Sequence, residues 1–152
     1  MNHEKYNNII ASDDFLEYEF ISVGPKGRIP KIIQFKITNN PNVYNLAFGN
    51  KNENGDLDDL ATNNNNDRNK ILTTVVLSVY LFTSEYPTKW VFFSGSTPDR
   101  TRLYRMAIAL NFEELSFDFE IYGILRGVDS YVTVPFQKEV NYYGFLIKRK
   151  TI

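Results

Sequence analysis

The sequence predicts an α+β fold: a mostly antiparallel sheet in the order β-β-β-β-α-β-α-β-β, with two main helices packed on one face. Three observations predict it. The first third of the chain breaks into short apolar runs separated by Gly, Pro and Asn turns. Helical periodicity is confined to the middle of the chain, and strand-like alternation returns after Phe119. Strands first and helices later is the α+β order.

Phe15–Val23 alternates as a strand, Gly24-Pro25-Lys26-Gly27 turns, and Ile29–Ile37 returns. Pro30 marks an edge, a bulge or the strand's start. After the turn at Asn39–Asn42, Val43–Phe48 forms a third strand and Asp56–Ala61 a fourth, joined by a hairpin loop from Gly49 to Gly55. From Arg68 to Tyr86 the apolar residues fall on a helical face (Ile71, Leu72, Val75, Val76, Val79, Tyr80, Phe82). Leu77 and Leu81 widen that face, so the helix is covered on two sides. Asn66 or Asp67 is its N-cap, and Pro87 ends it. Trp90–Phe93 is a short buried strand, followed by a helix from Pro98 that buries Leu103, Met106, Ala107 and Leu110. A short second helix over 111–118, a strand over Phe119–Leu125, the segment Tyr131–Val134 and a closing strand Val140–Lys148 complete the chain. The whole reads as one domain, 1–152, with 1–13 as a mobile tail.

Composition narrows the chemistry. Cysteine is absent, so there is no disulfide, thiolate nucleophile or sulfur-based zinc site. His3 is the sole histidine and lies in the expected tail, which argues against histidine general acid–base catalysis and histidine metal sites. The net charge of −1 gives no gross attraction to nucleic acid or acidic lipid but permits a local basic patch. The start lacks a signal-peptide pattern and no apolar run reaches membrane-spanning length, so the expectation is a cytoplasmic protein without metal or cofactor.

One stretch, WVFFSGSTPDRTRLYRM from Trp90 to Met106, gathers potential anion-binding groups. A strand feeds a Gly/Ser/Thr turn at a helix start, where free N–H groups and the positive end of the helix dipole coincide. Pro98 suits the first helical position and Thr97 or Ser96 the cap. Ser96, Thr97, Arg100, Arg102 and Arg105 are the candidate phosphate or carboxylate ligands, with Tyr104 available to stack on a base. At about 100° per residue, Arg102 and Arg105 project together while Arg100 stays with the turn. The competing structural reading pairs these arginines with Glu113, Glu114, Asp118 and Glu120. The loop Asn50–Ala61 superficially resembles a calcium-binding EF-hand. It has Asn50 first and Ala61 last where Asp and Glu are needed, so a solvated hairpin carrying Asp56, Asp58 and Asp59 is the better reading. Lys26 with Arg28, and Lys148-Arg149-Lys150, read as solvated basic segments.

Tyr44–Asn50, Glu85–Ile108 and Phe119–Leu125 resemble an uncharacterised family of small bacterial proteins with a G-S-T-x-x-R-T-R-L-Y-R signature, matched by Gly95-Ser96-Thr97 through Arg105. Asn50 departs from it, since an acidic residue is expected after the glycine. The resemblance implies a bacterial, single-domain protein and names no ligand.

The leading reading is a non-enzymatic binding module for a nucleotide or an RNA/DNA phosphate. One alternative is a histidine-free toxin–antitoxin ribonuclease using Arg102, Arg105 and Tyr104 with Glu85 or Glu113. The other is an interaction domain whose arginines only hold the fold, with a partner protein or a homodimer on a free sheet face.

Overall fold

Antiparallel pairing dominates a computed structural model of the chain, in which residues 3–58 and 64–151 are described. In chain order the elements are β1 (Ile10–Ala11), β2 (Glu17–Gly24), β3 (Gly27–Ile37), β4 (Val43–Lys51), β5 (Leu57–Asp58), α1 (Arg68–Glu85), β6 (Trp90–Phe93), α2 (Pro98–Leu110), α3 (Phe112–Asp118), β7 (Phe119–Arg126), β8 (Tyr131–Pro135) and β9 (Gly144–Arg149). The strands form one sheet in the order β1-β2-β3-β4-β6-β9-β7-β8, with β5 paired to β4. This is the predicted α+β class; α3 is the short helix expected over 111–118, and β1 and β8 are additional strands. The expected fourth strand begins as β5, and its remainder through Ala61 lies outside the described residues, as do Asp59 and Asn63.

The turn chemistry follows the sequence. Gly27, at φ +91°, closes the β2–β3 hairpin, where Gly24 pairs with Gly27. Gly55, at φ +84°, closes the β4–β5 hairpin, and the Asn52 N–H donates to the Asp56 carbonyl at 2.8 Å. Both turns need the left-handed backbone that glycine adopts without strain. Residues 3–13, read from sequence as a tail, are instead fastened to the body. Tyr6 is buried and stacks on Phe20, its N–H donates to Thr74 Oγ1 at 2.8 Å, and Ile10–Ala11 pairs with β2.

One face of the sheet packs on α1 and α2. Tyr18, Phe20, Ile33, Phe35, Leu46, Val91, Phe93 and Phe145 supply the sheet side of a single core. Phe82 of α1 stacks on Phe35 with ring centroids 4.2 Å apart. The burial of α1 extends beyond its apolar stripe to Thr73, Thr74, Ser78 and Thr83, as cover on two sides requires. Three of these hydroxyls return their protons to the helix: Thr74 to the Lys70 carbonyl, Ser78 to that of Val75 and Thr83 to that of Val79, at 2.6–2.7 Å. The buried face of α2 is rotated from the expected one. Tyr104, Ala107 and Ile108 are buried, while Leu103, Met106 and Leu110 are half-buried. The physical reason is aromatic: the Tyr104 ring sets its edge against Phe93, which stacks in turn on Phe145.

Topology positions the site. β4 and β6 are parallel neighbours joined through α1. β6 and β7 also run in the same direction, but β9 lies between them, antiparallel to both. The carboxyl ends of β4, β6 and β7 therefore share one end of the sheet, and α1 and α2 both begin there. Helix N-termini, with their free N–H groups, converge on that end.

Candidate functional site

The turn after β6 is tightly built. A Cβ on Gly95 would lie 2.3 Å from both Arg100 Cβ and the Thr101 nitrogen, so only glycine lets the strand end pass against the first turn of α2. The Gly95 N–H donates to Thr101 Oγ1 at 2.9 Å, and Thr101 Oγ1 donates to the Thr97 carbonyl at 3.2 Å. Thr97 is the N-cap, its Oγ1 accepting from the Arg100 N–H at 3.2 Å, and Pro98 opens the helix. Ser96 and Thr97 remain exposed.

This turn forms one wall of an open cleft of about 820 Å³. Arg102 and Arg105 line it from α2, and Leu125 and Arg126 from the end of β7. Asn141, Tyr142 and Tyr143, from the segment entering β9, face them. Arg105 donates to Asn141 Oδ1. Arg102 is exposed and has no hydrogen-bond or ion-pair partner among the described residues. The Arg126 guanidinium lies 4.8 Å from the centroid of Tyr143 and 6.0 Å from that of Tyr131, and those two rings stack 4.7 Å apart. Both rings are exposed. Tyr142 anchors this wall: it is buried, its hydroxyl accepts from the Gln137 N–H at 2.9 Å, and its ring fills the space a Cβ on Gly123 would need. Asp99 is the one carboxylate among the residues lining this cleft.

Arg100 takes another role. β6 pairs with β4 only from Val43 to Asn45, and β5 only at Asn50 and Lys51. In the interval between them the Phe48 carbonyl accepts from Arg100 Nη2 at 3.0 Å. Arg100 thus leaves the turn's guanidinium cluster and fastens α2 to the sheet. Beside it lies Lys31, which is buried, donates to Asn50 Oδ1 and lies 6.0 Å from the Phe48 ring centroid. Burial pushes the Lys31 ammonium below its ordinary range, and the Arg100 charge adds to that against the opposing pull of Asp67.

A second cleft, of about 1160 Å³, opens on the other side of α2 toward the start of α1. Asp67 sits at the N-cap of α1 but does not cap it with its side chain. Its Oδ2 instead accepts from Ser22 Oγ at 2.5 Å and from the Tyr6 hydroxyl. Burial first, and the Asp67 carboxylate second, raise the Tyr6 phenol above its ordinary value. Asn65, buried, ties this start to the β2–β3 hairpin by accepting from the Lys26 N–H at 2.7 Å and donating to the Gly27 carbonyl at 3.0 Å.

Of the residues singled out from sequence, Ser96, Thr97, Arg102 and Arg105 meet in the first cleft. Arg100 lies in the second, and Tyr104 lies in the core with its ring against Phe93. The arginines of α2 do not take the carboxylates of the structural reading that carry a hydrogen bond of their own. Asp118 accepts from Tyr80 and Glu120 from Tyr122. The ribonuclease set does not converge: Glu85 ends α1, where it acts electrostatically on Tyr18, and Glu113 is exposed on α3. No group of three or more acidic or histidine side chains fit to hold a metal ion is present among the described residues. No described helix is long and apolar enough to cross a membrane.

Sequence reasoning missed Arg126, Asn141, Tyr131 and Tyr143. Their signal is weak: a cation at the end of one strand and two tyrosines at or just before the starts of two others, which only the β7–β8 and β7–β9 pairings bring together. What the cleft offers chemically is guanidinium forks, hydroxyls, the first-turn N–H of Asp99 and an exposed aromatic stack. No curated protein and no solved structure matches the chain. A family match covers residues 2–150, nearly the whole chain, and by it the protein belongs to a family of unknown function (DUF6934).

Proposed function

We propose that the protein is a non-enzymatic module that binds the phosphate of a nucleotide or nucleic acid in the cleft between the start of α2 and the ends of β7 and β9. The observation that carries this reading is Arg102. It stands exposed at a helix start with no partner among the described residues, next to Arg105, Arg126 and two hydroxyls. An unpaired guanidinium beside the one first-turn N–H of α2 without a partner among the described residues, that of Asp99, is well matched to a doubly or singly charged phosphate oxygen set. The Tyr131–Tyr143 stack under Arg126 adds a surface on which a base can lie.

The test is fluorescence anisotropy with labelled oligonucleotides and nucleotides, on wild type and Arg102→Ala/Arg105→Ala. The double variant is expected to lose at least about tenfold in affinity, as removal of two charge-assisted contacts implies. Equal affinity of the two proteins, or no binding by either, overturns the proposal.

A further inference from the structure

The chain's charge is unevenly spread. Seven of its 17 Lys and Arg, but three of its 18 Asp and Glu, line the two clefts that flank α2. Of those three carboxylates, Asp67 is already occupied by the Tyr6 and Ser22 hydroxyls. A protein of net charge −1 has thus gathered cations on one end of the sheet.

The clefts are not separate. Asp99 and Arg102 line both, so they meet along the N-terminal half of α2. On the far side the basic lining continues through Lys26 on the β2–β3 turn and Arg68 and Lys70 at the start of α1. Lys26 and Arg68 are exposed, and neither side chain has a hydrogen-bond or ion-pair partner among the described residues. Lys70 is held 4.3 Å from the Tyr6 ring centroid, which keeps its ammonium at the cleft wall.

We infer that the two clefts form one continuous track for a single-stranded polynucleotide, crossing α2 at Arg102. This rests on the phosphate-binding reading of the first cleft and extends it from one phosphate to a run of them. A basic groove that follows a backbone, ending in exposed aromatic rings, suits a strand whose bases are unstacked. A duplex keeps its bases stacked and has no use for the Tyr131–Tyr143 platform.

The experiment compares thymidine monophosphate with a labelled oligothymidylate of about ten nucleotides, on wild type and on Lys26→Ala/Arg68→Ala. Wild type is expected to gain affinity with length. In the variant that gain falls about tenfold, and the salt dependence of the long strand weakens by about 1.4 in slope, two phosphate contacts at about 0.7 each. A length gain and slope equal to wild type overturn the track while leaving the single-phosphate reading intact. A duplex bound as tightly as the single strand, with the same sensitivity to the variant, overturns the single-strand assignment. Failure of both probes to bind wild type sinks both readings together. Oligouridylate run alongside separates ribose from deoxyribose strands, and weaker binding of the preferred strand by the variant supports the track.

Discussion

The two ends of α1 use their cations differently. At its C-terminal end, side chains tie helix to sheet. Arg149 donates through Nε to Thr83 Oγ1 at 2.9 Å and through Nη2 to the Tyr80 carbonyl at 3.0 Å, with its guanidinium against the rings of Tyr80 and Phe119. Tyr80 donates to Asp118 Oδ2 at 2.6 Å, and Tyr86 to the Asp14 carbonyl at 2.8 Å. At the N-terminal end, where α2 also begins, the layer opens into two clefts lined by arginines and lysines, several without partners. The difference separates cations by duty. Where a guanidinium's donors end on protein oxygens it is part of the fold; where they face solvent in a concave site they are available to a ligand.

The largest expected effect breaks the tied end. Arg149→Ala removes two charge-assisted hydrogen bonds and two ring contacts from a half-buried position. A loss of about 3 kcal/mol follows, seen as a fall of roughly 10 °C in melting temperature. Arg149→Lys keeps the charge but not the fork, so it recovers only part of the loss. A melting temperature unchanged by Arg149→Ala would erase the contrast between the two ends.

Next comes the tight turn of the open end. Gly95→Ala forces a methyl into the backbone and Cβ of α2's first turn, and overpacking of this kind costs about 2 kcal/mol. Because the turn carries Ser96 and Thr97, this variant should also lose affinity for the oligonucleotide. Circular dichroism melts and anisotropy on the same preparation check both.

A smaller effect sharpens the picture of the tied end, where the Tyr18 hydroxyl is mismatched to its surroundings. The Tyr18 hydroxyl is buried with no partner in the described structure. Tyr18→Phe should therefore stabilise by about 1 kcal/mol. Burial foremost, then the charges of Tyr86, Glu85 and Asp14, raise its phenol above the usual value of 10.0. The folded state then keeps this proton where the unfolded chain loses it. Its contribution is fully present below pH 10 and declines as pH rises beyond it. Urea denaturation between pH 9 and about 11 should show a shallower alkaline decline in Tyr18→Phe than in wild type.

How much of this was legible in the sequence depends on range. Turns, strands and helix boundaries rest on local chemistry, and the reading of Gly55, Thr97 and Pro98 agrees with the structure. The division of Arg100 from Arg102 and Arg105 was also legible, because helical projection is a local rule. The fate of Arg100 was not: its partner, the Phe48 carbonyl, depends on how short β6 is relative to β4. Nor was the role of the basic C-terminus. Lys148 lies against Trp90, Arg149 ties down α1, and Lys150 donates to the Ser116 carbonyl, so the apparent solvated run is largely engaged. Tyr104 misled for a related reason. A tyrosine between two arginines looks exposed by pattern, yet a core of stacked phenylalanines turned the helix by about one residue's rotation to take the ring in.

The smallest effect on stability is the most informative about function. Arg102→Ala removes an exposed side chain with no partner among the described residues, so its unfolding free energy, read from thermal melts, should stay within about 0.5 kcal/mol of wild type. Arg149→Ala, the same substitution at the opposite end, should cost several times that. If the fold had recruited Arg102 through a contact like that of Arg149, the two variants would melt alike. If Arg102 is a ligand, the ordering reverses in the binding assay: Arg102→Ala loses affinity at full stability. Arg149→Ala, measured well below its melting temperature, keeps its affinity. Only a residue held for something outside the chain can be cheap to the fold and costly to the complex.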